Sequence, residues 1–111
     1  MNLESFVSRV KDFDNLSPAD KIPYLAYFVI NEMKKEYFTG TDIVKCFSEL
    51  QIAPYSNVSA YLINKSKGVS RFFLKGKKGY LLERSLNNTI KENIGDTIAT
   101  MPTNDLFPLV L

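Results

Sequence analysis

The 111-residue chain contains no histidine and no tryptophan, and its only cysteine is Cys46. Without histidine, it lacks the side chain that most often serves as a general base or a metal ligand. A single cysteine can form neither an internal disulfide nor a cysteine-rich metal site. The chain also lacks a pairing of nucleophile and base and a glycine-rich phosphate loop of the Walker spacing. We therefore expect no catalytic residue, no metal and no cofactor.

Long apolar runs are missing too. The longest, Tyr24 to Ile30, is far too short to cross a bilayer. The first residues, MNLESFVSRVKDF, are amphipathic and carry acids, which is unlike a signal peptide. These features predict a cytoplasmic protein that does not engage a membrane, and the length suits one small domain.

Acids are absent from one third of the chain, between Ile52 and Leu82. This segment carries six basic residues, which are Lys65, Lys67, Arg71, Lys75, Lys77 and Lys78. The rest of the chain holds eight basic residues and all twelve acids, a net charge of −4. Such asymmetry indicates a surface that faces a polyanion, although a lysine-rich edge that protects a hairpin from aggregation is an alternative.

Apolar periodicity and capping residues predict mostly helical structure with one hairpin. Ser17 and Thr39 are expected helix caps, and Pro23 is expected to kink its helix or to follow a tight first turn. A tight link at residues 51–54 is expected before the third core helix, and Gly95 is expected to end the last helix. The predicted elements are helices over 3–13, 17–35, 40–50 and 55–66, a hairpin over 70–83 and a short helix over 88–94.

The residues expected in the core come from the helices over 17–35, 40–50 and 55–66 and from the hairpin. Cys46 is expected to be a buried, inert thiol, and Val44 is placed on the inner face of its helix. The predicted core residues are Leu25, Phe28, Val29, Ile43, Phe47, Leu50, Val58, Leu62, Phe73 and Leu81.

The order helix, short extended segment, helix, tight turn, helix and hairpin resembles the winged-helix members of the helix-turn-helix superfamily. The resemblance covers about residues 16–84 and is carried by ADKIPYLAYFVINEMKK, TGTDIVKCFSELQIAPYSNVSAYLINKSKG and RFFLKGKKGYLLE. It implies an α+β, mostly α fold, with a three-helix core, a C-terminal two-stranded wing and an extra N-terminal helix. The corresponding divisions are residues 1–15 for that helix, 16–95 for the winged-helix domain and 96–111 for a linker or tail.

The stretches LSPADKI and APYSNVSAYL, with the hairpin that follows, are also similar to the N-terminal module of longer bacterial proteins of no assigned activity. That second resemblance implies that DLFPLVL leads into a further domain.

The winged-helix resemblance implies that the helix at 55–67 lies in the major groove of double-stranded DNA and that the hairpin touches phosphates or the minor groove. Asn57 and Asn64 would pair with adenine edges, and Ile63 would meet a thymine methyl. The residues expected on bases or nearby phosphates are Ser56, Asn57, Ser59, Ala60, Ile63 and Asn64. The residues expected to neutralise phosphates are Lys65, Lys67, Arg71, Lys75, Lys77 and Lys78. The implied role is transcription regulation or targeting of a larger protein, with no small-molecule substrate.

One alternative function stays open. Many winged helices bind proteins, so an interaction or assembly module without nucleic-acid binding fits the same fold. The predicted groove helix contains no arginine, the usual base-reading cation, which favours modest sequence specificity.

Two apolar surfaces are each expected either to pack on the domain or to form a homodimer contact. They are the stripe of Leu3, Phe6 and Val10 and the tail Leu106–Leu111.

Overall fold

The computed structural model describes the backbone of residues 2–99 and the side chains of residues 2–94. This part of the chain is mostly helical and contains one small antiparallel sheet, so the predicted α+β class is confirmed. The helices are α1 (Leu3–Val7), α2 (Pro18–Tyr27), α3 (Gly40–Glu49), α4 (Val58–Asn64) and α5 (Arg84–Ala99), and the strands are β1 (Phe73–Lys75) and β2 (Tyr80–Leu82). Within residues 2–99, no helix is both long enough and apolar enough to cross a membrane.

The N-terminal segment packs on its own chain. Asn2 caps α1, because its Oδ1 accepts a hydrogen bond from the backbone N–H of Ser5 at 2.8 Å. The expected helix over 3–13 is shorter than predicted, since α1 ends at Val7 and a 3₁₀ turn follows at Phe13–Asn15. The Phe6 ring lies 5.3 Å from that of Phe28. Four apolar residues of the segment are buried, Leu3, Phe6, Val10 and Phe13, and Val7 is half-buried.

The second helix starts as predicted and ends differently. The Ser17 hydroxyl accepts a hydrogen bond from the N–H of Asp20 at 3.2 Å, and Pro23 lies buried inside a helix that continues to Tyr27. The last turn, Phe28–Glu32, is a π-helix, and the N–H of Met33 donates to the carbonyl of Phe28 at 3.0 Å. The helix therefore ends at Glu32, three residues before the predicted end at residue 35, and its last turn is not α-helical.

A contact with α5 accompanies this wide turn. Asn31 Nδ2 donates both to the carbonyl of Tyr27 at 3.2 Å and to Oδ1 of Asn87 at 3.0 Å. The side chain thus binds a carbonyl at the start of the turn and an amide on the last helix. A hydrogen bond across 56 positions of sequence has no local signature.

The third helix begins with a complete capping box. Thr39 Oγ1 accepts from the N–H of Asp42, and the Asp42 carboxylate accepts from the N–H of Thr39 at 3.0 Å. Lys35 Nζ lies 3.0 Å from the same carboxylate. Burial raises the pKa of Asp42, but these hydrogen bonds and the charge of Lys35 outweigh it, so the pKa lies below its usual value.

The link between α3 and α4 spans residues 50–57, which corrects the predicted tight link and the helix start at residue 55. Gln51 takes a left-handed conformation with a φ of 58° just after α3 ends. The helix starts only at Val58, because Asn57 is its cap.

The hairpin is held by the segment that precedes α3. Residues Phe73, Leu74 and Lys75 pair with Leu82, Leu81 and Tyr80 respectively. Phe38 forms a one-residue β-bridge to the other edge of β2. Its N–H donates a hydrogen bond to the carbonyl of Tyr80 at 2.9 Å, and its own carbonyl accepts one from the N–H of Tyr80 at 2.7 Å.

This register corrects one core residue. Leu82 lies opposite Phe73 and is buried, whereas Leu81 is 44% exposed on the outer face. Adjacent strand residues point to opposite faces of the sheet. The prediction of Leu81 in the core is therefore wrong by one residue, because Leu82 takes that place. Leu50 is half-buried, and the other eight predicted core residues are buried.

The last helix is longer than predicted. It runs from Arg84 to Ala99 through Gly95, and the Glu83 carboxylate accepts from the N–H of Ser85 at 2.8 Å near its start. Ile90 and Ile94 are buried and join the core. The expected tail therefore begins as helix at residues 96–99, and Leu106–Leu111 lies outside the described residues.

Candidate nucleic-acid interface

Helix α4 presents the face that the sequence predicted. Val58, Tyr61 and Leu62 are buried against the core. Opposite them, Ser59, Ile63 and Asn64 are exposed and Ala60 is half-buried, while Ser56 is exposed just before the helix. The outer face is thus small, polar and free of acids, as expected from the helical wheel.

Asn57 has a structural role that the sequence analysis missed. It is the N-cap of α4, and its Oδ1 accepts a hydrogen bond from the N–H of Ala60 at 3.0 Å. A bidentate contact to adenine needs both the oxygen and the nitrogen of the amide. The oxygen that would accept from adenine therefore also caps the helix, and the pairing of Asn57 with an adenine edge stays a prediction.

Lys65 joins α4 to the hairpin. Its carbonyl accepts hydrogen bonds from the N–H groups of Phe72 at 2.7 Å and Phe73 at 3.1 Å. Its Nζ lies 5.0 Å from the ring centroid of Phe72 and 5.9 Å from that of Tyr61. The side chain is expected to neutralise a phosphate, and in the structure its ammonium lies near two aromatic rings at this junction.

The remaining cations of the basic segment are exposed along the same part of the chain. Among the described side chains, no carboxylate oxygen lies within 4 Å of these cations. The ion pair found among those side chains joins Lys35 and Asp42, outside the basic segment. These exposed residues are Lys67, Arg71, Lys75, Lys77 and Lys78. As far as the described side chains extend, these cations form no ion pair, so their charge is available to an external anion.

The hairpin tip, Gly76–Gly79, is narrow because its glycines allow close approaches. The N–H of Gly76 donates to the carbonyl of Gly79 at 2.8 Å. A Cβ placed on Gly79 would lie 2.6 Å from the carbonyl oxygen of Phe38 and 2.7 Å from Cδ1 of Tyr37. This contact sets the tip against the Phe38 bridge and leaves Lys77 and Lys78 at its outer end.

An open cleft of about 430 Å³ lies between the start of α3 and the start of α4. Val44 lines it and is 45% exposed, which corrects its placement on the inner face of α3. A helical wheel places Val44 beside Ile43 and Phe47, so only the packing of α4 decides which of them is covered. The lining residues are Gly40, Thr41, Val44, Tyr55, Ser56, Asn57, Val58 and Ser59.

Two buried groups with raised pKa values belong to the core beneath this surface. Burial, together with the charges of Glu49 and Asp42, raises the pKa of Cys46 to about 11, so the thiol is inert at neutral pH, as the sequence predicted. Burial also raises the pKa of Tyr61 to about 12, with smaller effects from Asp20 and Tyr55. Neither group is poised to react.

Comparison with known proteins finds no relative of this chain: no family model matches, and neither the curated proteins nor the solved structures contain a match. In the part of the chain that the structure describes, no group of three or more cysteine, aspartate and glutamate side chains could hold a metal ion.

Proposed function

We propose that the chain is a winged-helix domain that binds double-stranded DNA, with α4 facing the major groove and the hairpin contacting phosphates. The fold part of the proposal is supported by the order of elements and by the Phe38–Tyr80 bridge. The bridge places the segment before α3 beside the hairpin as a third, very short strand.

The observation that carries the DNA part is that all six cations of the acid-free segment, residues 52–82, are exposed. The carbonyl of Lys65 accepts hydrogen bonds from the N–H groups of Phe72 and Phe73, which joins the end of α4 to the start of the hairpin. Unpaired surface cations of this kind neutralise phosphates and release counterions.

The composition of α4 supports modest sequence specificity. Within α4 itself, the exposed residues that would reach base edges are Ser59, Ile63 and Asn64, while Asn57 caps the helix. Asn64 supplies the amide that pairs with adenine, and Ile63 supplies apolar contact with a thymine methyl. The eight-residue link before α4 is longer than the usual turn of about three or four residues, so the approach of α4 to the groove differs from that of a compact helix-turn-helix.

The test is the salt dependence of binding to a short labelled duplex, measured by fluorescence anisotropy. Changing Lys77 and Lys78 together to Gln should weaken binding to all sequences equally. The slope of log affinity against log salt should fall by about two, since each lost phosphate contact removes about 0.9. The matched control changes Lys11 and Lys91 to Gln, which alters net charge equally away from the hairpin and should leave the slope unchanged.

Asn64→Ala provides the complementary measurement. It should reduce discrimination between sequences and leave the salt slope nearly unchanged, because an amide releases no counterions. A double lysine variant with an unaltered slope would contradict the proposal, and the interaction or assembly module would become the preferred function.

A further inference from the structure

A second cleft, of about 470 Å³, lies between the N-terminal segment and the end of α3. Its apolar wall is formed by Val7, Val10, Phe13, Leu50 and Ile52. Its polar lining consists of Glu4, Ser8, Asp12, Asp14 and Asn15, and none of the ten lining residues is basic. We refer to these ten residues as the acidic cleft.

The acidic cleft and the hairpin lie at opposite ends of α3. Phe38, just before the helix, is bridged to Tyr80 of the hairpin, while Leu50, just after the helix, lines the cleft. The ten residues of α3 span about 15 Å. Because the helix keeps the two sites apart, the hairpin tip of a chain does not reach the cleft of the same chain.

The tip and the cleft are complementary in charge. Lys77 and Lys78 are exposed in a glycine-flanked turn, and Glu4, Asp12 and Asp14 line the cleft together with its apolar residues. A lysine stem can lie along apolar surface while its ammonium stays beside acids at the rim. Exposed ion pairs contribute little individually, so the contact should be weak and sensitive to salt.

We propose that the acidic cleft binds the hairpin tip of a second copy of this chain. The two contacting surfaces differ, so copies associate either head-to-tail or by a reciprocal exchange of tip and cleft between two copies. The inference goes beyond DNA binding, although Lys77 and Lys78 serve both contacts and DNA would therefore compete with the second copy.

Sedimentation velocity of the full chain without DNA tests this directly, so the result does not depend on nucleic-acid binding. At low salt, the weight-average mass of the wild-type chain should rise with concentration above the monomer mass of 12.6 kDa and return to it at high salt. Asp12→Asn with Asp14→Asn should remain monomeric, as should Lys77→Gln with Lys78→Gln. An equimolar mixture of the two variants should associate but stop at the dimer, since only one functional tip and one functional cleft remain.

Each matched control changes the net charge by the same amount as the cleft or tip variant with which it is compared. Glu36→Gln with Glu92→Gln, and Lys45→Gln with Lys91→Gln, should associate like the wild-type chain, and circular dichroism should show all variants folded. The proposal is overturned by a wild-type chain that stays monomeric at low salt, by cleft or tip variants that associate as the controls do, or by a variant mixture that stays monomeric.

Discussion

Gly79 is the position where a single methyl group should do the most damage to the hairpin. An ordinary contact of a Cβ is 3.4–4 Å, but a Cβ here would lie 2.6 Å from the Phe38 oxygen and 2.7 Å from Tyr37. The backbone of Phe38 or of Gly79 must therefore move by roughly 1 Å. The movement strains or breaks both hydrogen bonds of the Phe38–Tyr80 bridge, which are 2.9 and 2.7 Å long.

Two hydrogen bonds at about 0.5–1.5 kcal/mol each give an expected loss of about 1–3 kcal/mol for Gly79→Ala. For a domain of this size, that loss lowers the melting temperature by roughly 5–20 °C. The free energy of unfolding is measured by urea denaturation with circular dichroism, and the melting temperature by a thermal scan of the same samples.

Gly76→Ala, in the same turn, is the control. Its Cβ would meet only the Gly79 carbonyl oxygen, at 3.4 Å, so its stability should stay within about 1 kcal/mol of the wild-type value. If Gly79→Ala unfolds at the same urea concentration as the wild-type chain, or if both alanine variants lose the same stability, the close approach at Phe38 is not what requires glycine there.

Three further predictions follow from burial, capping and titration. Leu82→Ala should cost about 2–5 kcal/mol in urea unfolding, whereas Leu81→Ala should cost less than about 1 kcal/mol; equal losses would contradict the register. Asn57→Ala should cost about 1 kcal/mol and Asn57→Asp should regain most of it, since only the aspartate still caps α4. The pKa of Asp42 is lower in the folded chain than its usual 3.8, so the unfolded chain binds more protons and stability falls as the pH drops below that value. Asp42→Asn should flatten this acid decline in urea midpoints measured against pH, and an unchanged decline would assign it to other carboxylates.

Local chemistry was sufficient to predict how α2 and α3 begin. Ser17 and Thr39 both cap the helices that follow them, and each cap depends on residues only three positions away. The faces of α4 were also predicted correctly, because a helix that has one apolar side leaves little choice about which side is buried.

Features set by distant contacts could not be predicted in this way. Whether Leu81 or Leu82 faces the core depends on the pairing with Phe73, and the π turn after Tyr27 is associated with a hydrogen bond between Asn31 and Asn87. The cap at Asn57 was also missed, because an asparagine at the edge of a polar helix face fits both a cap and a base contact. Only the observed start of α4 at Val58 shows that Asn57 is the cap.

The hairpin has no independent means of staying folded. Its strands are three residues each, and a two-stranded hairpin of that size is marginal in water by itself. One strand is anchored through Lys65 and the other through Phe38, so the hairpin should open only when its anchors on either side of α3 and α4 open as well. The amide protons of Phe73 and Tyr80 should then exchange with solvent as slowly as those of the core. An anion bound by the tip lysines should raise the melting temperature of the whole domain.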